Sequence, residues 1–268
     1  MHRFGAGTHV GNIRDNNEDS FVCDSAKSLF IVADGMGGLG FGEVASAIST
    51  YTVTQMVREG QGVNQAIETA HRKIRDYSEQ EGKGVNMGTT LVLLLSQGSM
   101  YNIFWVGDSR AYLFDKSLQQ LTVDHSLVQS LIETGELTPE EAAVDPRKVA
   151  ITRALGVQEK ETVRADSVSN KWSPGQKILL CTDGLSDFVS FADIENVLQR
   201  ESDNQKAVDE LIDRALAGGG RDNITVMVIS APDSVDGQSP DTHVPGDVTE
   251  STYIPGSSDT HRKFPDQE

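Results

Sequence analysis

The sequence predicts an α+β fold in which antiparallel β-sheets are flanked by helices. Several short apolar runs are hydrophobic at successive positions, which is typical of strands that are covered on both faces. Two long amphipathic segments follow one another directly and a block of strands comes after them, whereas a doubly wound parallel sheet alternates strands with helices. The 268 residues, 37% hydrophobic and 24% charged, suit a globular domain with a substantial core.

Periodicity and capping signals predict four helices, over residues 43–59, from 64 to about 80, from Thr138 onwards, and over 205–217. Thr138-Pro139-Glu140-Glu141 is a capping box with proline at the first helical position. Three glycines, 218–220, end the last helix. The expected core-facing residues of the first two helices are Val44, Ala47, Ile48 and Tyr51, and then Ala66, Ile67, Ala70, Ile74 and Tyr77.

Six strands are predicted, over residues 29–33, 90–95, 101–106, 111–114, 177–182 and 224–230. The composition changes at Pro232, after which proline, aspartate, serine and threonine dominate without apolar periodicity. Such a segment buries too little apolar surface to offset its ordering entropy. We therefore predict a folded domain at 1–231 and a flexible acidic tail at 232–268.

The net charge of −17 argues against nucleic acid and anionic membranes as partners, since both attract a surplus of Lys and Arg. No run approaches the roughly 20 apolar residues of a membrane span, and no apolar stretch follows the N-terminus as in a signal peptide. The two cysteines, Cys23 and Cys181, lie far apart and form no CxxC pair. This use of cysteine is typical of proteins in a reducing cytoplasm. These features predict a cytoplasmic protein whose acidity either concentrates metal cations or only keeps it soluble.

Four predicted strands stop at, or start from, an aspartate beside glycine or asparagine, namely Asp34, Asp108, Asp183 and Asp222. A single Asp-Gly pair is most often only a turn. Carboxylates that are brought together repel one another unless a cation lies among them. Oxygen ligands without His or Cys select Mg²⁺ or Mn²⁺ over Zn²⁺. The repeated pattern therefore indicates a hydrolase with a hard-metal cluster.

The segment Gly11 to Asp19 adds Arg14 close to the acidic pair Glu18 and Asp19. An arginine in this place can hold a phosphate with two hydrogen bonds, while the acids orient metal-bound water. Taken alone, the segment is equally well a polar loop.

Eight short motifs are each weak evidence alone, but their order along the chain is specific for one family. They are Arg14-x-x-Asn17-Glu18-Asp19, Asp34-Gly35-Met36-Gly37-Gly38, Gly88-Thr89-Thr90, Gly107-Asp108-Ser109-Arg110, Asp124-His125-Ser126, Thr152-Arg153-Ala154-Leu155-Gly156, Thr182-Asp183-Gly184-Leu185 and Asp222-Asn223-Ile224-Thr225. From about residue 4 to 230 the chain resembles the metal-dependent serine/threonine protein phosphatases of the PP2C (PPM) family, the short bacterial members above all.

This resemblance implies a four-layer α-β-β-α sandwich with two central antiparallel sheets. It also implies a metal-ligand set. Asp34 would bridge two Mn²⁺ or Mg²⁺ ions, the Gly35 carbonyl would ligate one of them, and Asp183 and Asp222 would complete the pair. Glu18 and Asp19 would act through metal-bound water, and Asp108, with Asp187 as a further candidate, would serve a third, weaker site.

The resemblance also implies functions beside the metals. Arg14 would clamp the substrate phosphate, and residues 126–155 would form a flap beside the site.

The implied reaction is hydrolysis of phosphoserine and phosphothreonine by a water activated at a binuclear centre, without a phospho-enzyme. Many relatives have a histidine where this chain has Met36 or Leu39, so the acid for the leaving group is left open between metal-bound water and His125. The implied partners are phosphoproteins and a cognate Ser/Thr kinase, with the chain a monomer. Two alternatives stay open: a catalytically weak PP2C-like regulatory binding module, and a metal phosphohydrolase acting on small molecules.

Overall fold

Two antiparallel β-sheets pack face to face, and a pair of helices covers the outer face of each sheet. The computed structural model describes residues 2–80, 86–157, 162–233 and 250–253. This is the α-β-β-α sandwich that the sequence predicts, and the fold class is confirmed. Within the described ranges, none of the helices combines the length and apolar character that a membrane span requires.

One sheet has the strand order β1-β12-β11-β8-β9, the other β10-β7-β6-β3-β2-β13, and a short ribbon joins β4 to β5. The strands are β1 Phe4–His9, β2 Ser20–Asp24, β3 Leu29–Ala33, β4 Gly35–Gly37, β5 Met87–Thr89, β6 Leu91–Gln97, β7 Met100–Val106, β8 Arg110–Asp115, β9 Ser117–Gln120, β10 Asp166–Lys171, β11 Lys177–Cys181, β12 Ile224–Ser230 and β13 Glu250–Tyr253.

The helices are α1 Phe41–Arg58, α2 Val63–Gln80, α3 Leu127–Glu133, α4 Pro139–Val144, α5 Asp183–Ser186, α6 Phe191–Arg200 and α7 Asn204–Ala217. Short 3₁₀ turns lie at Gly38–Gly40 and Pro146–Val149. Helices α1 and α2 pack on the six-stranded sheet, and α6 and α7 pack on the five-stranded sheet.

The core has three apolar layers, one under each helix pair and one between the sheets. The inter-sheet layer is rich in aromatic residues, with Tyr101 and Trp172 in contact at a ring-centroid distance of 4.8 Å. Strands β3 and β12 are buried along their whole length because each has a sheet face on one side and helices on the other. Both cysteines are buried and free, as small core residues.

The six predicted strands are all present, and β3 and β12 have the predicted ends. The capping box at Thr138 is confirmed, since its hydroxyl accepts from the Glu141 N–H and the Glu141 carboxylate accepts from the Thr138 N–H. The predicted core face of α1 is wrong at Tyr51 and confirmed at Val44 and Ile48, which are partly buried and pack against the apolar layer under this helix pair. Tyr51 is 60% exposed, whereas Ala45, Ser49 and Val53 are buried, because small side chains let this helix approach the sheet closely.

Most of the predicted tail, residues 234–249 and 254–268, lies outside the described residues. Within that tail, β13 pairs antiparallel with β2, from Glu250 opposite Asp24 to Tyr253 opposite Phe21. No sequence pattern predicts this strand, because its four residues are polar or aromatic and isolated among proline-rich segments. The domain boundary at residue 231 stays a prediction.

Gly184 is the point at which the backbones before β12 and after β11 come closest. A Cβ atom at this position would lie 1.9 Å from the carbonyl oxygen of Asn223. We expect Gly184→Ala to lower the free energy of unfolding by about 3 kcal/mol or more, since a backbone clash cannot be relieved by a side-chain rotation. Urea denaturation measures the effect.

Gly62→Ala is the matched control, because a Cβ atom there meets nothing within 4 Å. Equal stability of the two variants would contradict the close approach at Gly184. The same approach brings Asp183 and Asp222, the neighbours of Gly184 and Asn223 in sequence, to one place.

Candidate metal centre

Five aspartates from separate parts of the chain converge where the two sheets meet. Asp34 follows β3, Asp108 follows β7, Asp183 begins α5, Asp222 precedes β12 and Asp19 precedes β2. Burial, followed by the negative charges of the other four aspartates, raises the pKa of Asp34 well above its usual range. The structure therefore brings together the four strand-end aspartates of the sequence prediction and Asp19 of the predicted acidic pair.

Burial and neighbouring negative charges raise the pKa of further acids at this site. Burial raises the pKa of Asp19 and of Asp108 to about 8, with the charge of Asp183 contributing to both. Burial and the charges of Asp222 and Asp187 raise the pKa of Asp183 to about 6. Burial also raises the pKa of Glu18. An uncompensated cluster of this kind is what a multivalent cation would neutralise.

Three carboxylate oxygens in the group are buried and have no hydrogen-bond partner, one each on Asp19, Asp108 and Asp183. Buried polar atoms are almost always satisfied, so these unpartnered atoms fit oxygen ligands of a hard cation. As the described side chains stand, no three of them from His, Cys, Asp and Glu are grouped so that they could hold a metal ion. Two of the acids, Asp222 and Asp187, are paired with the cationic side chains of Arg14 and Lys148 in this structure.

Two threonines of the Gly88-Thr89-Thr90 motif hold the backbone of Asp34. The Thr90 hydroxyl accepts from the Asp34 N–H at 3.0 Å, and the Thr89 hydroxyl donates to the Asp34 carbonyl at 2.8 Å. Ser109 hydrogen-bonds the Thr90 hydroxyl at 2.7 Å, which links the loop of Asp108 to that of Asp34. The motif therefore fixes the loop of Asp34 against the loop of Asp108.

Two further threonines position Asp19, which has a fully buried side chain. The hydroxyls of Thr225 and Thr182 donate to its Oδ2 at 2.6 and 3.1 Å. These contacts leave Oδ1 free of protein partners. Sequence reasoning quoted both threonines within motifs but missed this function, whose signal is a threonine directly before Asp183 and another in the strand after Asp222.

Asn223 holds the N-terminal acidic segment in place. Its side-chain nitrogen donates to the carbonyls of Val10 and Asn16, and its Oδ1 accepts from the Glu18 N–H at 2.8 Å. The Glu18 carbonyl in turn accepts from the Gly35 N–H at 3.2 Å. Glu18 therefore lies beside Gly35.

Arg14 lies at the exposed rim of the cluster. Its Nη2 donates to Asp222 Oδ2 at 2.8 Å, and this hydrogen bond is the main cause that raises the arginine's pKa. The charges of Asp34 and Glu18 act on it as well. A half-exposed guanidinium over a buried acidic group is suited to an anionic ligand that approaches from solvent.

The flap, residues 126–155, is anchored through His125. The Gly107 N–H donates to His125 Nδ1 at 3.0 Å, so Nε2 carries the ring proton and donates to Asp166 at 3.2 Å. Arg153 also pairs with Asp166, at 2.9 Å. Because both ring nitrogens are engaged and the side chain is buried, the structure favours a positioning function for His125 over that of an acid.

The raised carboxyl pKa values make the stability of the metal-free protein depend on pH. The unfolded chain releases these protons near pH 4, while the folded chain retains them up to about 6 to 8. The contribution is fully present below the unfolded pKa and is lost as the pH rises through the folded values. In EDTA we expect Tm to fall by on the order of 5–10 °C between about pH 5 and 8.5.

Mn²⁺ should offset this loss at the alkaline end, since metal ligands bind in the deprotonated form. Thermal scans with and without Mn²⁺ at both pH values measure the two effects. A Tm in EDTA that rises with pH would show that the acids are not strained as described.

The fold and this site define a metal-dependent hydrolase with oxygen ligands at the junction of two antiparallel sheets. Residues 7–223 match the family described as Protein phosphatase 2C. The chain is 37% identical over 236 residues to the serine/threonine phosphatase Stp of Listeria monocytogenes, covering 83% of this chain and 93% of Stp. It is 37% identical over 244 residues to the serine/threonine protein phosphatase PstP of Mycobacterium tuberculosis, covering 88% of this chain and 46% of PstP.

Solved structures agree. The M. tuberculosis PstP structure has a TM-score of 0.78 at 36% identity, covering 85% of this chain and 98% of that one. The PstP catalytic domain in complex with two manganese ions has a TM-score of 0.76 at 36% identity, covering 85% and 97%. The chain belongs to the protein phosphatase 2C family, and the resemblance in the sequence is confirmed. These relatives lend no support to the alternative of a regulatory binding module.

Proposed function

We propose that the aspartate cluster, with Arg14 at its rim, is the active site of a metal-dependent serine/threonine protein phosphatase. The convergence of five aspartates with three buried, unpartnered carboxylate oxygens carries this proposal. Two observations on relatives support it: Stp and PstP are named serine/threonine phosphatases, and the PstP catalytic domain has been solved in complex with two manganese ions. The cofactors are Mn²⁺ or Mg²⁺, two held tightly and a third more weakly.

The cluster divides into ligands with unequal functions. Asp34, on which the charges of the other four aspartates act, would be the ligand shared by two ions, together with the Gly35 carbonyl. Asp183 and Asp222 would complete the pair, Glu18 and Asp19 would act through water, and Asp108 and Asp187 would serve a third ion. When bound, the ions supply neutralising charge and a lowered pKa for water, which allows direct hydrolysis of a phosphate ester.

The chain's own residues perform the remaining tasks. Arg14 has an exposed guanidinium that can turn from Asp222 to two oxygens of a substrate phosphate. Thr182 and Thr225 hold Asp19 so that one carboxylate oxygen faces the site. Thr89 and Thr90 keep the Asp34 backbone rigid, and such pre-organisation favours the transition state over the free substrate.

Hydrolysis of a phosphothreonine peptide by the purified chain tests the proposal. We expect Mn²⁺-dependent release of phosphate, lost in EDTA and restored by Mn²⁺, with a phosphotyrosine peptide cleaved more slowly. If neither the phosphothreonine peptide nor p-nitrophenyl phosphate is hydrolysed in Mn²⁺, the proposal is wrong.

The wider setting is also a proposal. A phosphatase of this kind would reverse the action of a cognate Ser/Thr kinase in the cytoplasm and would act as a monomer, with residues 1–231 as its catalytic domain. Size-exclusion chromatography with light scattering tests the monomer, and truncation after Ala231 with retained activity would support the domain boundary.

A further inference from the structure

Lys148 of the flap reaches an acid at the edge of the metal centre. Its ammonium nitrogen lies 2.8 Å from Asp187 Oδ2, and both side chains are about one-third exposed, at 36% and 31%. Lys148 lies in the 3₁₀ turn Pro146–Val149, and Asp187 directly follows α5, whose first residue is Asp183. The ion pair therefore joins the flap to the element that carries a central ligand.

Asp187 belongs electrostatically to the outer part of the cluster. Its charge raises the pKa of Asp183, and the charge of Asp183 raises that of Asp108. Asp108 Oδ1 is buried without a partner. A positive charge beside Asp187 is therefore favourable, and in this structure the ammonium of Lys148 supplies it.

The flap is suited to change position. Helices α3 and α4 and the 3₁₀ turn pack on one another, and α3 contributes no buried residue. Val144 and Val149, which flank Lys148 in the flap, are 82% and 71% exposed. This part of the flap therefore buries little apolar surface at Val144 and Val149, and the ion pair of Lys148 is one of the contacts that hold it in place.

We propose that Lys148 is an internal competitor of the outer metal ion: its ammonium and a divalent cation exclude one another at Asp187, so that filling the outer position releases the flap. The inference rests on the proposed function, since it takes Asp187 as an outer-position ligand. A monovalent ammonium satisfies one carboxylate oxygen, whereas a divalent ion shared with Asp108 neutralises more charge. The exchange is therefore driven by the cation concentration.

Competition multiplies the apparent affinity of the outer position by the fraction of molecules in which Lys148 is undocked. An ion pair whose side chains are about one-third exposed contributes little, so we expect Lys148→Gln to tighten the weakest Mn²⁺ step about three- to tenfold. The two tight steps should not change. Electron paramagnetic resonance of free Mn²⁺ during titration of the full chain gives the stoichiometry and each affinity.

Two controls share the segment. Lys148→Arg retains the charge and should bind the weakest ion as the unmodified chain does. Arg147→Gln removes a neighbouring charge that pairs with Asp145 inside the flap, and it should also leave the step unchanged. Asp187→Asn should abolish the weak step and keep the tight ones.

Amide hydrogen exchange of residues 139–150 is an independent measurement. Millimolar Mn²⁺ should accelerate exchange in the unmodified chain, whereas Lys148→Gln should exchange fast with or without it. An unchanged or weaker third step in Lys148→Gln, or no third step in either protein, would overturn the inference. In each of these cases the chain would still hydrolyse phosphopeptides with two ions bound. Failure of this inference is therefore distinguishable from failure of the proposed function.

Discussion

Asp34→Asn is expected to lower kcat/KM by at least about 10³-fold at saturating Mn²⁺, because a neutral amide cannot hold two cations. Four other aspartates act on Asp34, and its backbone is fixed by Thr89 and Thr90. The amide has the shape of the carboxyl group, so the fold should remain. Steady-state kinetics on a phosphothreonine peptide measures the loss.

The stability of the same variant should change in the opposite direction. Removing one charge from a repelling group should leave the metal-free protein at least as stable, while the increase of Tm caused by Mn²⁺ should shrink. Asp213→Asn, on the exposed side of α7, is the matched control and should behave as the unmodified chain. Activity retained in Asp34→Asn would remove Asp34 from the centre of the site.

Arg14→Ala is expected to reduce kcat/KM by about 10- to 100-fold, through lost hydrogen bonds to the substrate phosphate. The side chain is 53% exposed, so the effect on folding should be small. Arg14→Lys should recover part of the loss, since it keeps the charge but not the two-pronged geometry. Inhibition by inorganic phosphate should weaken in parallel.

The Mn²⁺ affinity distinguishes binding of the substrate phosphate by Arg14 from a role of Arg14 in organising the metal centre. Because Arg14 holds Asp222 at 2.8 Å, its removal frees a ligand, and Mn²⁺ should bind as tightly as before or a few-fold more tightly. Arg72→Ala, an exposed arginine on α2, is the control and should change neither quantity. Weaker Mn²⁺ binding in Arg14→Ala would show that the arginine organises the metal centre instead.

The largest features of the fold follow from local patterns. Strand β12 and the capping box at Thr138 could be located because their signals lie within a few residues of chain. The buried face of α1 could be located only in part, because most of its buried residues, such as Ser46 and Thr50, are polar or small. Close helix–sheet approach favours Ala45 and Ser49 there, a preference that appears only when the sheet is in place.

The sequence by itself determined the chemistry of this protein: acids beside glycine at strand ends, an arginine ahead of them, and an order of motifs found in one family. The tertiary structure alone decided which atoms remain free for ligands. Thr182 and Thr225 occupy one oxygen of Asp19, Arg14 occupies Asp222, and Lys148 occupies Asp187. Those pairings join residues up to 208 positions apart, as between Arg14 and Asp222, and no local pattern encodes contacts at such separations.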